Sequence, residues 1–224
     1  MNTYNDTIAF WDNIFTKQKA KKHIESLKIH KDLEDAICWL SNESKTILDY
    51  GCGSGTMLFK CANYENACMC VGIDISQKAV ELGRETALLN NLEGKVEFSC
   101  GGIMSLEKIE ENSFDSAILS NIIDNVIPSD TISIIRNISR IVIPNGKILI
   151  KLNPYLKQEQ LDEYGLKLIT NNLYLENEGT YLRNLSTSQW EEIIKQFFII
   201  KEYKEIFFEE FRQYNRIFLL VNNK

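Results

Sequence analysis

Positive charge, histidine and long apolar runs are all scarce in this chain of 224 residues. No stretch of about eighteen apolar residues occurs, so no membrane-spanning helix is expected. Met1 to Asp6 lack the basic start and apolar core of an export signal, which predicts a cytoplasmic protein. Lys and Arg number 25 against 31 Asp and Glu, a net charge of −6. That balance weighs against nucleic acid as the partner, because neutralising phosphates needs a basic surface. The longest basic cluster, Lys17, Lys19, Lys21 and Lys22, reads as a solvated helix face, with a local docking site as the alternative.

There is no C-x-x-C pair. Cys38, Cys52, Cys61, Cys68, Cys70 and Cys100 are expected to be reduced thiols. Cys68-Met69-Cys70 is C-x-C with no histidine near it, so a metal site is not indicated. Its two cysteines are expected on one face of a strand, as small buried residues. The two histidines, His23 and His30, fall in an N-terminal segment read as helix and are expected at its surface.

What the chain does contain is an ordinary globular composition, 44% hydrophobic and 25% charged, organised around Ile47-Leu48-Asp49-Tyr50-Gly51-Cys52-Gly53-Ser54-Gly55. An apolar pair leads into a glycine turn, and Met57, Leu58 and Cys61 follow at helical spacing. This is a strand, a turn and a helix start whose free N–H groups can hold an anion. A dinucleotide fingerprint would place glycine where Thr56 stands, and a phosphate loop would need Gly-Lys-Ser/Thr. The stretch resembles motif I of the class I S-adenosylmethionine-dependent methyltransferases, an acid followed by G-x-G-x-G. The resemblance implies an α/β, three-layer Rossmann-like fold. Its seven-stranded sheet would be mostly parallel with an antiparallel last strand.

The order of elements extends the likeness. Cys70-Val71-Gly72-Ile73-Asp74 reads as the second strand, ending in an acid about 20 residues after the turn, where a carboxylate meets a ribose. Ser76 can cap the next helix, which ends at Asn90-Asn91. Lys95 to Cys100 alternates as a third strand, and Phe114 to Asn121 forms a fourth. Ser129 is expected to cap a helix carrying Ile132, Ile135, Ile138 and Val142. Pro144-Asn145-Gly146 turns into a fifth strand, Lys147 to Leu152. Residues 19–40 are expected to be helical ahead of the motif, with Phe10-Trp11-Asp12-Asn13-Ile14-Phe15 before them. Those aromatics either pack over the sheet without touching ligand, or close the cofactor cleft through Trp11 and Phe15. After the fifth strand no clean helix–strand unit appears over 153–186. A hairpin is read there from Leu173 to Arg183 around Asn177-Glu178-Gly179. Ser188-Gln189-Trp190-Glu191 is read as a capping box opening the last helix. Strands over Phe197 to Tyr203 and Tyr214 to Val221 follow, too close together for a crossover and so antiparallel. One domain over 1–224 is expected: an N-terminal helical lid (1–44), a cofactor core (45–152), a substrate-side flap (153–186) and a closing helix and strand pair (187–224).

By resemblance, S-adenosyl-L-methionine is the cofactor. Asp49 pairs with its ammonium group, and the amides of Gly51, Cys52, Gly53 and Gly55 with the helix start take its carboxylate. Asp74 holds the ribose, and Ile75, Ile103 and Ile122 sandwich the adenine. Asn121 lies beside the cofactor at the end of the fourth strand, where it could also touch the acceptor or serve as a turn or cap residue. The family usually carries an acid for the adenine amino group where this chain has Gly102, so the backbone of Gly102 and Ile103 is expected to replace it. The loop after the fourth strand, Ser120-Asn121-Ile122-Ile123-Asp124, lacks both the Pro-Pro-aromatic signature of DNA and glutamine amino-methylating enzymes and the Pro-Cys of cytosine C5 enzymes. That points to a small-molecule acceptor, with a monomer or homodimer expected. Trp11, Asp124, Tyr155, Tyr181 and Arg183 are the candidate acceptor-binding residues; for Asp124, a turn or cap role is the alternative, and for the residues of 153–186 a structural flap or dimer contact. Candidate general bases are Asp12, Asp124, Tyr155 and Tyr181, and no catalytic residue stands out. Two other readings stay open: a non-catalytic binder of the same cofactor, motivated by Gly102, and a nicotinamide-dependent oxidoreductase, which Thr56 counts against.

Overall fold

The computed structural model describes residues 4–176, 180–210 and 212–224. In chain order the elements are α1 (Tyr4–Thr16), α2 (Lys31–Ser41), β1 (Thr46–Tyr50), α3 (Thr56–Ala62), β2 (Met69–Asp74), α4 (Gln77–Leu89) and β3 (Val96–Cys100). Then come α5 (Ile103–Glu107), β4 (Phe114–Ser120), α6 (Pro128–Ile141), β5 (Val142–Leu152) and α7 (Gln158–Glu163). β6 (Lys167–Thr170), β7 (Leu173–Leu175), β8 (Tyr181–Arg183), α8 (Thr187–Ile194), β9 (Phe198–Phe208) and β10 (Gln213–Asn222) complete the order.

Successive apolar residues in the core strands point to opposite faces of the sheet, because the side-chain period of a strand is two. Ile47, Ile118, Leu149 and Leu219 pack on one face with Ile37, Leu40, Leu58 and Phe59 of α2 and α3. Leu48, Leu119, Ile148, Ile150, Phe218 and Leu220 pack on the other with Ile134, Ile138 and Trp190 of α6 and α8. Helices on both faces bury the sheet twice over, as a parallel sheet requires. The strand order is β3-β2-β1-β4-β5-β10-β9. β1, β2, β3, β4 and β5 run parallel, and β10 is antiparallel to both β5 and β9. The expected seven-stranded Rossmann-like sheet is therefore present. Its chain order reverses between β1 and β4, and the crevice at such a switch point is where open α/β sheets bind ligands. Among the described residues no helix is long and apolar enough to cross a membrane.

Several local expectations change. Residues 19–30 are not helical beyond a single 3-10 turn at Ile24–Ser26. Their backbone groups are taken by α4 instead: Lys21 N donates to Thr86 Oγ1, Ile24 N to Asn90 Oδ1, and Asn90 Nδ2 to Lys21 O. His30 caps α2, its Nδ1 accepting from Asp32 N, so neither histidine lies inside a helix. α6 starts at Pro128, whose fixed φ suits the first helical position, and Ser129 sits within that turn rather than before it. The last capping box is Ser186 with Gln189, two residues earlier than expected. Cys68 precedes β2 and is exposed, whereas Cys70 inside the strand is buried. Ser76 does cap α4, accepting from Ala79 N.

The 153–186 segment contains α7 and a three-stranded antiparallel sheet, β6-β7-β8. The hairpin strands pair as expected, Leu173 with Arg183 and Leu175 with Tyr181; Asn177, Glu178 and Gly179 lie outside the described residues. Arg183 N donates to Asp124 O at 2.7 Å, which hangs this flap on the loop after β4 at the carboxyl edge of the main sheet.

Candidate cofactor cleft and its comparisons

The glycine turn is built as the sequence demands. Gly51, Gly53 and Gly55 have φ of +75°, +53° and +87°, the left-handed region that side chains disfavour. The N–H groups of Gly51 and Cys52 donate to Ile73 O at 2.7 and 3.2 Å, which fastens the turn to the end of β2. Gly53 N donates to Asp74 Oδ2 at 2.7 Å and Gly55 N to Cys52 O at 2.9 Å. All four amides expected to meet an anion thus have partners inside the protein. The side chain of Cys52 faces the core, where a Cβ on Gly72 would stand 2.7 Å from its Sγ.

Two carboxylates lie under the turn. Asp49, 2% exposed, has a buried Oδ1 without a hydrogen-bond partner. Burial pushes its carboxyl up to about 8, and the charge of Asp74 adds to the shift. A buried carboxylate short of a partner suits a ligand cation. Asp74 is also raised by burial, against which the N–H groups of Ser76 and Gly53 work. Its Oδ1 accepts from Ser76 N at 2.9 Å. An ionised carboxylate offers about four acceptor positions, so Asp74 retains capacity for a further donor beyond the N–H groups of Ser76, Gly53 and Ile75.

A cavity of about 180 Å³ opens at the carboxyl edge of the sheet, reached by Tyr50 and Ile75, the chain neighbours of the two carboxylates. Ile75, Ile103 and Ile122 line it together, and Trp11, Tyr50 and Tyr181 complete the apolar wall. Tyr4, Thr7 and Trp11 make α1 one side of it. Pockets for drug-sized ligands hold roughly 300–1,000 Å³, so α1 lies close against a narrow cleft. α1 is fixed there by Asp12 Oδ1, which accepts from Ser76 Oγ at 2.6 Å and Lys78 N at 3.1 Å. Its Phe15 lies over the turn, where a Cβ on Gly53 would stand 3.0 Å from the ring.

A family model described as a methyltransferase domain matches residues 41–207. The chain belongs to the class I S-adenosylmethionine-dependent methyltransferases. Among curated relatives, the tRNA N(3)-methylcytidine methyltransferase trm140 of Schizosaccharomyces pombe is 23% identical over 86% of this chain and 64% of its own length. The carboxy-S-adenosyl-L-methionine synthase of Shewanella pealeana is 27% identical over 79% of this chain and 72% of its own. The chain therefore spans less than two thirds of the length of the first of these. The crystal structure of PH0226 from Pyrococcus horikoshii superposes with a TM-score of 0.69 at 20% identity, covering 95% of this chain and 99% of that one. The Burkholderia thailandensis 1,6-didemethyltoxoflavin-N1-methyltransferase, solved with 1,6-didemethyltoxoflavin and S-adenosylhomocysteine, gives 0.70 at 13% identity, covering 100% and 92%. These likenesses establish the fold.

The cofactor of this methyltransferase is S-adenosyl-L-methionine; a buried carboxyl with one unpartnered oxygen at Asp49, a carboxyl at the end of β2 and three isoleucines lining one cavity are chemically compatible with its ammonium, ribose and base. Of the acceptor candidates, Trp11 and Tyr181 line the cavity. The others lie elsewhere. Asp124 is fully buried beneath the loop, its Oδ2 accepting from Asn153 N at 2.6 Å. Tyr155 faces a separate cavity of about 370 Å³ with Tyr164 and Arg216. The Arg183 guanidinium lies 5.3 Å from the Trp190 ring centroid, with one buried nitrogen lacking a partner. Asp12, offered as a base, is occupied as the clasp on α4. Asn121 adopts φ +54° and bonds Lys151 and Asn153. Gly102 caps α5 beneath Tyr4. Sequence reasoning passed over Tyr4, Thr7, Tyr50 and Asn125. Only Tyr50, inside the glycine motif, carried a signal in its position.

Proposed function

We propose that this methyltransferase acts on a small, largely apolar acceptor, bound beside Trp11 and Tyr181 in the cleft at the carboxyl edge of the sheet. The observation that carries the reading is the cavity itself, a narrow space walled by Ile122, Trp11 and Tyr181. When bound, the cofactor supplies a methyl group already activated on a sulfonium, so the protein's task is positioning and exclusion of water. Asp49 would pair with the ammonium group, Asp74 would accept from the ribose hydroxyls, and Ile75, Ile103 and Ile122 would hold the base. α1 would shut water out of the cleft, with Trp11 on the cavity and Phe15 over the glycine turn.

Three further features favour a small molecule. The loop after β4 carries neither of the proline signatures associated with amino-methylation of DNA and glutamine or with cytosine C5 chemistry. The net charge of −6 weighs against an extended phosphate-binding surface. The acceptor wall is apolar and close, which suits a compact ligand. The six free cysteines suit a reducing, cytoplasmic compartment.

Calorimetric titration with S-adenosylhomocysteine, followed by transfer of labelled methyl groups to fractionated metabolites and to total tRNA, tests this. Label in a low-molecular-mass fraction supports the reading. Label in tRNA alone overturns the acceptor class, and tight cofactor binding with no transfer to any fraction favours a non-catalytic binder.

A further inference from the structure

A chain of three asparagines joins a cation to the cavity. Lys151 Nζ donates to Asn121 Oδ1. Asn121 Nδ2 donates to Asn153 Oδ1 at 2.6 Å, and Asn153 Nδ2 donates to Asn125 Oδ1 at 2.9 Å. Asn125 lines the cavity next to Val126 and Ile122. The backbone of Asn153 is held on both sides, its N–H by the buried Asp124 carboxylate and its carbonyl by Arg216 Nε at 2.9 Å. Lys151 is itself confined, its ammonium 5.5 Å from the Phe208 ring centroid.

An ammonium group only donates, whereas a carboxamide can be turned to present either its oxygen or its nitrogen. Lys151 therefore decides the orientation of Asn121, Asn121 that of Asn153, and Asn153 that of Asn125. At the end of the relay the Asn125 oxygen is turned to Asn153, which leaves its NH₂ as the donor for the cavity. Asp130, Thr7 and the tyrosines are the other polar lining; at the Asn125 position itself a fixed donor disfavours a ligand group that brings only another donor, because the two would be desolvated without partners.

We propose that Asn125 selects the methyl acceptor, presenting Nδ2–H to a carbonyl oxygen or unprotonated ring nitrogen of a planar apolar molecule, with Lys151, Asn121 and Asn153 as its positioning residues. The proposal rests on the methyltransferase reading above and adds the chemical class of the acceptor. The protein saturated with S-adenosylhomocysteine is titrated with quinoline, which has a ring-nitrogen acceptor, with naphthalene, which lacks it, and with indole, which brings a donor. Binding is followed through the side-chain amide signal of Asn125 and the indole N–H of Trp11. Quinoline is expected to bind about tenfold more tightly than naphthalene, the worth of one such hydrogen bond. Asn125→Leu should erase that ratio. The near-isosteric Asn125→Asp, which still accepts from Asn153, should reverse the preference towards indole. Lys151→Met should reduce the ratio several-fold while Asn125 is intact, which a merely structural role would not do.

Equal binding of quinoline and naphthalene by the unaltered protein, a ratio that survives Asn125→Leu, or no binding of any probe overturns the proposal. So does a variant that weakens S-adenosylhomocysteine while the probe ratio holds, since Asn125 would then serve the cofactor. Failure of the unaltered protein to bind S-adenosylhomocysteine would instead defeat the reading beneath it.

Discussion

The hydroxyl of Tyr4 occupies the space that a side chain on Gly102 would need. One residue is at the start of α1 and the other caps α5, so the absence of a side chain at 102 is what lets α1 lie down over the cleft. Burial, with the charges of Cys100, Asp130 and Asp74 beyond it, raises the Tyr4 phenol and keeps it a neutral donor. Gly102→Asp should expel Tyr4 and loosen α1. Hydrogen exchange over residues 4–16 is expected to speed up while β1 and β4 stay protected, with a global stability change of about 1 kcal/mol or less. Unchanged protection in α1 would mean that the Tyr4 contact does not hold the helix.

A side chain at Gly53 would meet a strained backbone and crowd the Phe15 ring. At φ +53°, and with Phe15 3.0 Å from the position of a Cβ, Gly53→Val places a β-branched side chain in a region it avoids. The backbone strain is worth about 1–3 kcal/mol, and the turn must reshape and give up the bond from Gly53 N to Asp74. Calorimetry should detect no S-adenosylhomocysteine binding by this variant. Retained affinity would place the ligand away from the turn.

Asp74→Ala removes the acceptor of Gly53 N and Ser76 N as well as the proposed ribose contact. Charge-assisted bonds of this kind contribute about 1.5–3 kcal/mol, so S-adenosylhomocysteine should bind roughly ten- to a hundredfold more weakly. Affinity equal to that of the unaltered protein would exclude a ribose role.

Asp49 gives a pH signature with a definite sign. Its carboxyl titrates at about 8 in the folded protein and at about 3.9 in an unfolded chain. Between those values the folded state holds the extra proton, so stability falls as pH rises through the window. Asp49→Asn removes the group. The two proteins should melt alike at about pH 4, and the variant should melt higher at about pH 8, by about 2–4 °C per kcal/mol at this chain length. Ligand affinity has the opposite dependence. If the ammonium of S-adenosylhomocysteine pairs with ionised Asp49, binding strengthens as pH rises towards 8 in the unaltered protein and stays flat in Asp49→Asn. Matching pH profiles would remove the pairing.

The sheet was legible because strand pattern and glycine turns are local. Ile47-Leu48, Ile118-Leu119 and Leu149-Ile150 declare strands covered on both faces, and a turn that needs positive φ at positions 51, 53 and 55 admits few residues besides glycine. The segment 19–30 misled because its helical spacing was outbid by α4, whose Thr86 and Asn90 take its backbone groups. Helix starts shifted where Pro128 and Ser186 outcompeted the neighbouring serines.

By itself the sequence determined the layered fold, the glycine turn and the acid at the end of β2, since strand pattern, turn chemistry and the fixed spacing of a strand–helix–strand unit set them. Only tertiary structure decided that Asp124 is sealed away, that Tyr155 faces another cavity, that Tyr4 stands on Gly102, and that a lysine on β5 orients an amide after β4. Those are encounters between residues far apart along the chain, fixed by packing, and no spacing rule encodes them.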